Sequence, residues 1–183
     1  MEKDIKDLKI LIDTQTLENR IKQLAEEINN SYNLNETLHL ICVLRGAVMF
    51  FTQLSKYLKM PVKMDFISLS SYGDSQSSSG KVKSLNLSLP NFKNENVLIV
   101  EDIVDTGLTI QEVINYLHDK GAASIEIATL LDKPESRKVK CQKPKWVGTT
   151  IGPEFVVGFG LDYDELYRNL DYVGVLKKSV YEK

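Results

Sequence analysis

Cysteine is scarce in this chain of 183 residues, with two thiols at positions 42 and 141. That spacing excludes a disulfide framework and a paired-cysteine metal site, and it suits a reducing compartment. Cys42 and Cys141 read as small packing residues. Long apolar runs are also lacking. No stretch approaches the ~20 apolar residues of a membrane span. The opening MEKDIKDLKI is charged where a secretory signal would be apolar. We therefore expect a soluble cytoplasmic protein with no membrane association. An excess of positive charge is missing too: 23 Lys and Arg face 25 Asp and Glu, a net charge of -2. The densest basic stretch, KVKCQKPK (Lys138–Lys145), is short, which argues against sequence-blind nucleic-acid binding. There is no internal repeat, no Walker A loop and no G-x-G-x-x-G turn, so the usual ATP and NAD readings lose their support.

What is present is an ordinary globular balance, 43% hydrophobic and 26% charged, enough to build a core without metal or disulfide staples. The length suits one domain, 1–183. Leu17, Ile21, Leu24, Ala25 and Ile28 share one helical face, with Asp13 and Thr14 as candidate caps. Leu38–Leu44 (LHLICVL) reads as a strand ending at Arg45-Gly46. Ala47–Leu58 has helical spacing and stops before Pro61. Met64–Leu69 alternates as a strand does. Ser70–Gly80 (SSYGDSQSSSG) is polar and aperiodic, and a long loop of that kind in a compact domain is usually a lid or a binding loop. Val82–Leu89 is a further candidate strand. Val97–Val100 is a strand, Thr109–Lys120 a helix closed by Gly121, and Ser124–Leu131 another strand. Such alternation predicts an α/β fold with a mostly parallel central sheet flanked by helices. From Lys133 onward Pro and Gly break the chain into short pieces, Trp146–Thr149 and Phe155–Gly158 among them. We read 133–183 as a small hood added to the sheet, with a C-terminal strand. His39 reads as strand packing, His118 as helix surface and Trp146 as core.

The segment Val97–Thr109, VLIVEDIVDTGLT, carries the chemistry. A buried strand gives way to the pair Glu101-Asp102, then to Asp105-Thr106-Gly107, then to a helix beginning near Thr109. In open parallel sheets ligands sit outside the carboxyl ends of the strands. A helix N-terminus attracts anions, and glycine lets backbone approach a phosphate closely. Thr106 and Thr109 add hydroxyl donors. Carboxylates beside a phosphate repel it unless they hold a cation or accept hydrogen bonds. Ribose hydroxyls donate such bonds, and Mg²⁺ takes carboxylate and phosphate oxygens together. The string is shaped for a phosphorylated, polyhydroxylated ligand with a metal.

This string resembles the phosphoribosyl pyrophosphate (PRPP) signature of type I phosphoribosyltransferases. Leu44-Arg45-Gly46, Ser71-Tyr72, Leu130–Lys133 (LLDK) and Phe155–Arg168 (FVVGFGLDYDELYR) resemble the hypoxanthine-guanine branch, in the family's order and over nearly the whole chain. The resemblance implies transfer of the phosphoribosyl group to a 6-oxopurine such as hypoxanthine or guanine, with Mg²⁺ as cofactor. It also implies roles. Glu101 and Asp102 would hold the ribose hydroxyls, directly or through Mg²⁺. Asp105, Thr106, Gly107, Leu108 and Thr109 would cradle the 5-phosphate, and Asp105 would be the general base near purine N7. Arg45 and Gly46 would form the pyrophosphate loop, where the family often has Lys and a non-proline cis peptide. Ser71, Tyr72 and Arg168 would join them there. Lys133 would donate to the purine 6-oxygen, Phe155 would stack on the base, and Val156 would offer backbone groups to it. Asp162 would border the purine and ligate a second Mg²⁺. Arg137, in the polar stretch KPESRK, is a candidate phosphate contact. The family commonly forms dimers and tetramers, so a homo-oligomer is expected.

Two rivals carry less of the sequence. A pyrimidine phosphoribosyltransferase would share VLIVEDIVDTGLT but not the set Lys133, Phe155 and Val156. A regulatory RNA-binding protein on the same fold would want a basic face, and would have no use for Asp105.

Overall fold

The computed structural model describes residues 8–68 and 89–181. The expected lid Ser70–Gly80, with Ser71 and Tyr72, lies outside the described residues, as does the candidate strand Val82–Leu89 apart from its buried last residue. In chain order the elements are β1 (Leu8–Ile12), α1 (Thr14–Asn29), β2 (Leu38–Leu44), α2 (Val48–Ser55), β3 (Val62–Ser68), β4 (Asn96–Val104), α3 (Leu108–Asp119), β5 (Ser124–Asp132), β6 (Trp146–Thr150), β7 (Val156–Val157), β8 (Val173–Leu176) and α4 (Lys178–Tyr181).

The main sheet has the order β3-β2-β4-β5-β6, and all of its pairings are parallel. Parallel strands need crossovers, and α2 and α3 supply them. Residues of β2 alternate between the two faces. Leu38, Leu40 and Cys42 join α1 and α2 in one core, while Ile41 and Val43 join α3 in the other. The expected apolar stripe of α1 is fully inside, and Asp13 caps the helix by accepting from the Thr16 N–H at 2.8 Å. Helix α2 is shorter than its spacing predicts. At its end Tyr57 and Leu58 donate three residues back, to Leu54 and Ser55, tightening the chain into a turn before Pro61.

Two differences from the sequence reading matter for the site. Strand β4 does not end at Val100. It pairs with β5 as far as Val104 opposite Asp132, whereas its pairing with β2 stops at Cys42 opposite Val100. Glu101 and Asp102 thus lie on a strand where its two neighbours part. The second difference concerns the hood. Trp146–Thr150 does not belong to it, because it extends the main sheet as β6, and Trp146 is core. The hood is instead a separate antiparallel sheet, β1-β8-β7, which recruits the N-terminal strand. Strand β1 had no clear signal, since three of its five residues are exposed. Gly158 and Gly160, both at positive φ, shape the chain leaving β7.

At the opposite, N-terminal end of the sheet, His39 is buried between two carboxylates. Its Nδ1 meets Glu95 at 2.5 Å and its Nε2 meets Asp65 at 2.7 Å. Lys63 reaches the other oxygen of Glu95. This ties β2, β3 and the start of β4 together, and His39 proves more than strand packing.

Cys42 is buried beneath the carboxylates of β4, and Cys141 is half-buried. Burial first, and the charges of Glu101 and Asp102 second, push the Cys42 thiol up to about 12. The thiolate is the reactive form. A disulfide thiol reagent at mildly alkaline pH should therefore titrate one thiol in the native protein and both after denaturation; two fast thiols in the native state would contradict this burial.

Candidate active site

The chain runs from β2 out to β3 on one side, then crosses to β4 on the other side of β2. The strand order reverses between β2 and β4, and ligands of open α/β sheets bind in the crevice that such a reversal leaves. Here the crevice holds Arg45 and Gly46 after β2, and Glu101 and Asp102 on β4. Two cavities open there. One, about 570 Å³, is lined by Arg45, Gly46, Ser68, Glu101, Asp102, Thr109, Asp162 and Arg168, with Val43 and Leu44. The other, about 250 Å³, is lined by residues 101–107 with Thr109 and Ile110. Glu101, Asp102 and Thr109 are common to both. The acidic pair is thus the wall between an arginine-lined chamber and the loop that starts α3.

That loop is built for close approach. Gly107 sits at φ 84, in the left-handed region that favours glycine, and serves as the N-cap of α3. A Cβ on it would lie 2.7 Å from Cys141 Sγ. Gln111 N–H already donates to Gly107 O at 3.1 Å, and Leu108 N–H approaches Thr106 Oγ1 at 3.4 Å. Asp105 is half-buried and borders the smaller cavity.

The pair itself is buried, with Glu101 at 5% and Asp102 at 9% exposure. Burial, then the neighbouring Asp102 charge, raises the Glu101 carboxyl well above the usual carboxylate range. Burial raises Asp102 as well, opposed by its hydrogen bonds with Glu101 and the Ile103 N–H. Glu101 Oε2 is buried without a hydrogen-bond partner among the described residues. Gly46 presses on Asp102 so closely that a Cβ there would fall 1.6 Å from Asp102 Oδ2. The Leu44–Arg45 peptide is cis. Gly160 closes the stack: a Cβ on it would meet Gly46 O at 1.9 Å.

The cations facing the larger cavity are engaged with acids of one loop. Arg168 Nη2 lies 2.8 Å from Asp162 Oδ1, and Arg45 Nη2 lies 2.8 Å from Glu165 Oε1. Asp162 Oδ2 accepts from the Glu165 N–H at 3.0 Å. Asp164, Glu165 and Tyr167 all have positive φ, so this is a tightly wound loop. Sequence reasoning named Asp162 and Arg168 but missed Glu165, which no motif marks.

Of the expected base-side residues Asp162 lines the larger cavity, whereas Lys133, Phe155 and Val156 line neither. Lys133 is buried at 8% exposure and donates from Nζ to Glu154 O at 2.6 Å. Phe155 is half-buried, stacked on Tyr181 at 4.9 Å and edge-on to Tyr163. Val156 is buried and pairs with Val175. Arg137 does not face the cavities; it turns to the carbonyls of Val104 and Asp105.

Comparison with known proteins gives the family and the fold. Residues 7–164 match the family model described as phosphoribosyl transferase domain, which defines the class. The chain is 44% identical to the hypoxanthine-guanine phosphoribosyltransferase of Streptococcus thermophilus and 43% identical to that of Bacillus subtilis, covering all of this chain and 99% of each relative. It superposes on a hypoxanthine phosphoribosyltransferase from Staphylococcus aureus with a TM-score of 0.89 at 38% identity, over 100% of both chains. A Trypanosoma cruzi hypoxanthine phosphoribosyl transferase gives 0.88 at 37% identity, over 98% of this chain and 97% of that one. The chain belongs to the hypoxanthine-guanine phosphoribosyltransferase family, and its parallel sheet with a hood is the type I phosphoribosyltransferase fold.

A raised carboxyl keeps its proton in the folded chain over a pH range where the unfolded chain has lost it. Its stabilising contribution is complete below the ordinary carboxylate range and is lost as pH rises through the native value. Glu101→Gln should therefore raise the melting temperature of the chelator-treated protein at neutral pH by a few degrees, with the gain shrinking toward pH ~4. A variant less stable than wild type at neutral pH would mean that the pair is not strained by its own charge.

Proposed function

We propose that this chain transfers the 5-phosphoribosyl group from PRPP to N9 of a 6-oxopurine, giving IMP or GMP and pyrophosphate in purine salvage. The observation that carries this is the acidic wall: one buried carboxylate pair shared by a chamber with two arginines and a glycine loop at a helix N-terminus. A sugar with a phosphate at each end has that pattern of charge, with hydroxyls in the middle and anions on both sides.

The pair also fits Mg²⁺. A buried carboxylate oxygen without a partner among the described residues, next to a second carboxylate, is a donor set for a hard cation. Among the described residues no group of three or more His, Cys, Asp or Glu could hold a metal alone. That suits an ion which takes one or two carboxylates and completes its shell with substrate oxygens and water. Glu101 and Asp102 would hold it, and it would neutralise charge building on the pyrophosphate. Asp162 would reach a second ion on releasing Arg168, an exchange that pyrophosphate favours by taking the guanidinium.

The chain's own groups do the rest. Asp105 to Thr109 bind the 5-phosphate through peptide N–H groups, the Thr106 and Thr109 hydroxyls and the α3 N-terminus. Arg45, Gly46 and Arg168 receive the pyrophosphate, leaving Glu165 and Asp162 for a ligand of higher charge. Ser71, Tyr72 and the 70–80 lid are assigned to that end on sequence grounds alone. Lys133 donates to the purine 6-oxygen, Phe155 stacks on the ring, and Val156 offers backbone groups, with Asp162 bordering the base. As the bond from the anomeric carbon to pyrophosphate breaks, positive charge grows on the sugar and purine N9 closes on it. The Asp105 carboxylate takes the N7 proton as the new bond forms. Fixing both substrates in line removes an entropic barrier of roughly 7–11 kcal/mol at best. We place this enzyme in the cytoplasm as a homo-oligomer, a dimer or tetramer, consistent with its lack of a described helix able to cross a membrane.

A spectrophotometric assay with PRPP, Mg²⁺ and each base in turn tests the reading. Hypoxanthine or guanine should turn over and pyrimidines should not; failure of both purines would sink it. Asp105→Ala should lower kcat by about 10²–10⁴-fold, the usual worth of an acid–base group, with little change in PRPP affinity. An unchanged kcat would remove Asp105 from the proton transfer.

A further inference from the structure

Behind the loop that begins α3 lies a guanidinium. Arg137 Nη1 donates to Val104 O and to Asp105 O, both at 2.5 Å, and approaches Lys133 O at 3.2 Å. Its Nη2 is bound by the Asp132 carboxylate. The side chain is 19% exposed. One residue on, Lys138 N–H donates to Thr106 O at 2.9 Å. The alkyl stem of Arg137 comes within 3.4 Å of where a Gly107 Cβ would stand. The carbonyls of three successive residues, 104, 105 and 106, are thus held by one segment.

Among the described residues the one cis peptide is Leu44–Arg45, so these three peptides are trans. In a trans peptide the C=O and the following N–H point in opposite directions. Carbonyls 104 to 106 drawn backward leave the N–H groups of Asp105, Thr106 and Gly107 pointing forward together. The smaller cavity is lined by those residues and by none of segment 132–138. Successive N–H groups converging on one cavity make an anion nest. Without the clamp, carbonyl oxygens could turn into the cavity and repel a phosphate.

We infer that Arg137 is a positioning residue for the ribose 5-phosphate, which holds the Val104 and Asp105 carbonyls from behind so that the amides of Asp105 and Thr106 face the ligand. This rests on the proposed assignment of residues 105–109 to the 5-phosphate. Arg137 itself does not touch the ligand. Its Nη1 hydrogens are taken by carbonyls, and its charge reaches the cavity only as a field tempered by Asp132. Lys133 keeps anchors of its own, through its N–H to Val104 O at 3.0 Å and its Nζ to Glu154 O. The purine side is therefore insulated from loss of Arg137.

Arg137→Lys keeps the charge and loses the planar fork that can span two carbonyls and a carboxylate. The KM for PRPP and the Kd for IMP by calorimetry should each rise at least about tenfold, with kcat and the KM for hypoxanthine at saturating PRPP within about threefold of wild type. An unchanged Kd for IMP would overturn the inference. So would a hypoxanthine KM rising in step with that of PRPP, because that is how a general structural residue behaves. Should the variant not fold, the wild-type protein decides: IMP should slow amide exchange at Asp105, Thr106 and Gly107, and hypoxanthine alone should not. IMP that binds without protecting these amides contradicts the inference alone. IMP that fails to bind wild-type protein at all contradicts the proposed function.

Discussion

Two carboxylates side by side on the central strand, buried and facing a crevice, set the terms for the rest of this molecule. Glu101 and Asp102 are at odds with each other and with their buried surroundings. A protein tolerates such a pair when a cation or a polyol relieves it in the working state. The fold supplies the place for this. Strand β4 continues along β5 after it has left β2, so the acids stand on rigid backbone and still look into an opening. A pair on a free turn would relax into solvent.

The surroundings follow from that wall. The loop after β2 crosses Asp102 with no room for a side chain at Gly46, and the hood lays Gly160 on Gly46 in turn. The loop after β2, the acids of β4 and the hood therefore share one line of contact. The hood loop then places Arg168 over the chamber, hydrogen-bonded to Gly160 O at 2.9 Å and paired with Asp162. On the other side, segment 132–138 fastens the loop before α3 to the end of β5, from which Lys133 departs. The acids of β4 and Lys133 after β5 are thus carried by adjacent strands, and their spacing is the spacing of a parallel sheet.

Much of this was legible in the residues, and the reasons differ. The α1 stripe, the apolar strands of the main sheet and the capping Asp13 are local signals, set by periodicity and by one side chain reaching its own helix. The string from Val97 to Thr109 stood out because acids that run into a glycine turn at a helix N-terminus have few physical uses. What escaped depends on contacts distant in sequence. Strand β1 has too little apolar patterning to stand out, and β8, at the far end of the chain, completes it. Strand β6 was assigned to the hood because Pro and Gly surround it, yet pairing with β5 decides its place. Arg137 was read as reaching outward to phosphate. Only the fold shows Val104 and Asp105 offering their carbonyls behind the loop, a demand that no local pattern announces. Glu165 pairs with Arg45 across 120 positions, and sequence spacing says nothing about that.

Burial and mutual repulsion raise the proton affinity of the Glu101 and Asp102 pair in the free protein, and a ligand arriving with its cation lowers it. Calorimetric titration of PRPP with Mg²⁺, repeated near neutral pH in buffers of different ionisation enthalpy, measures that change directly. Wild-type protein should release protons on binding, up to about one per site, and Glu101→Gln should release far fewer, since a raised carboxyl is the proton's source. Tight binding of PRPP and Mg²⁺ with no proton released by the wild-type protein would contradict the account.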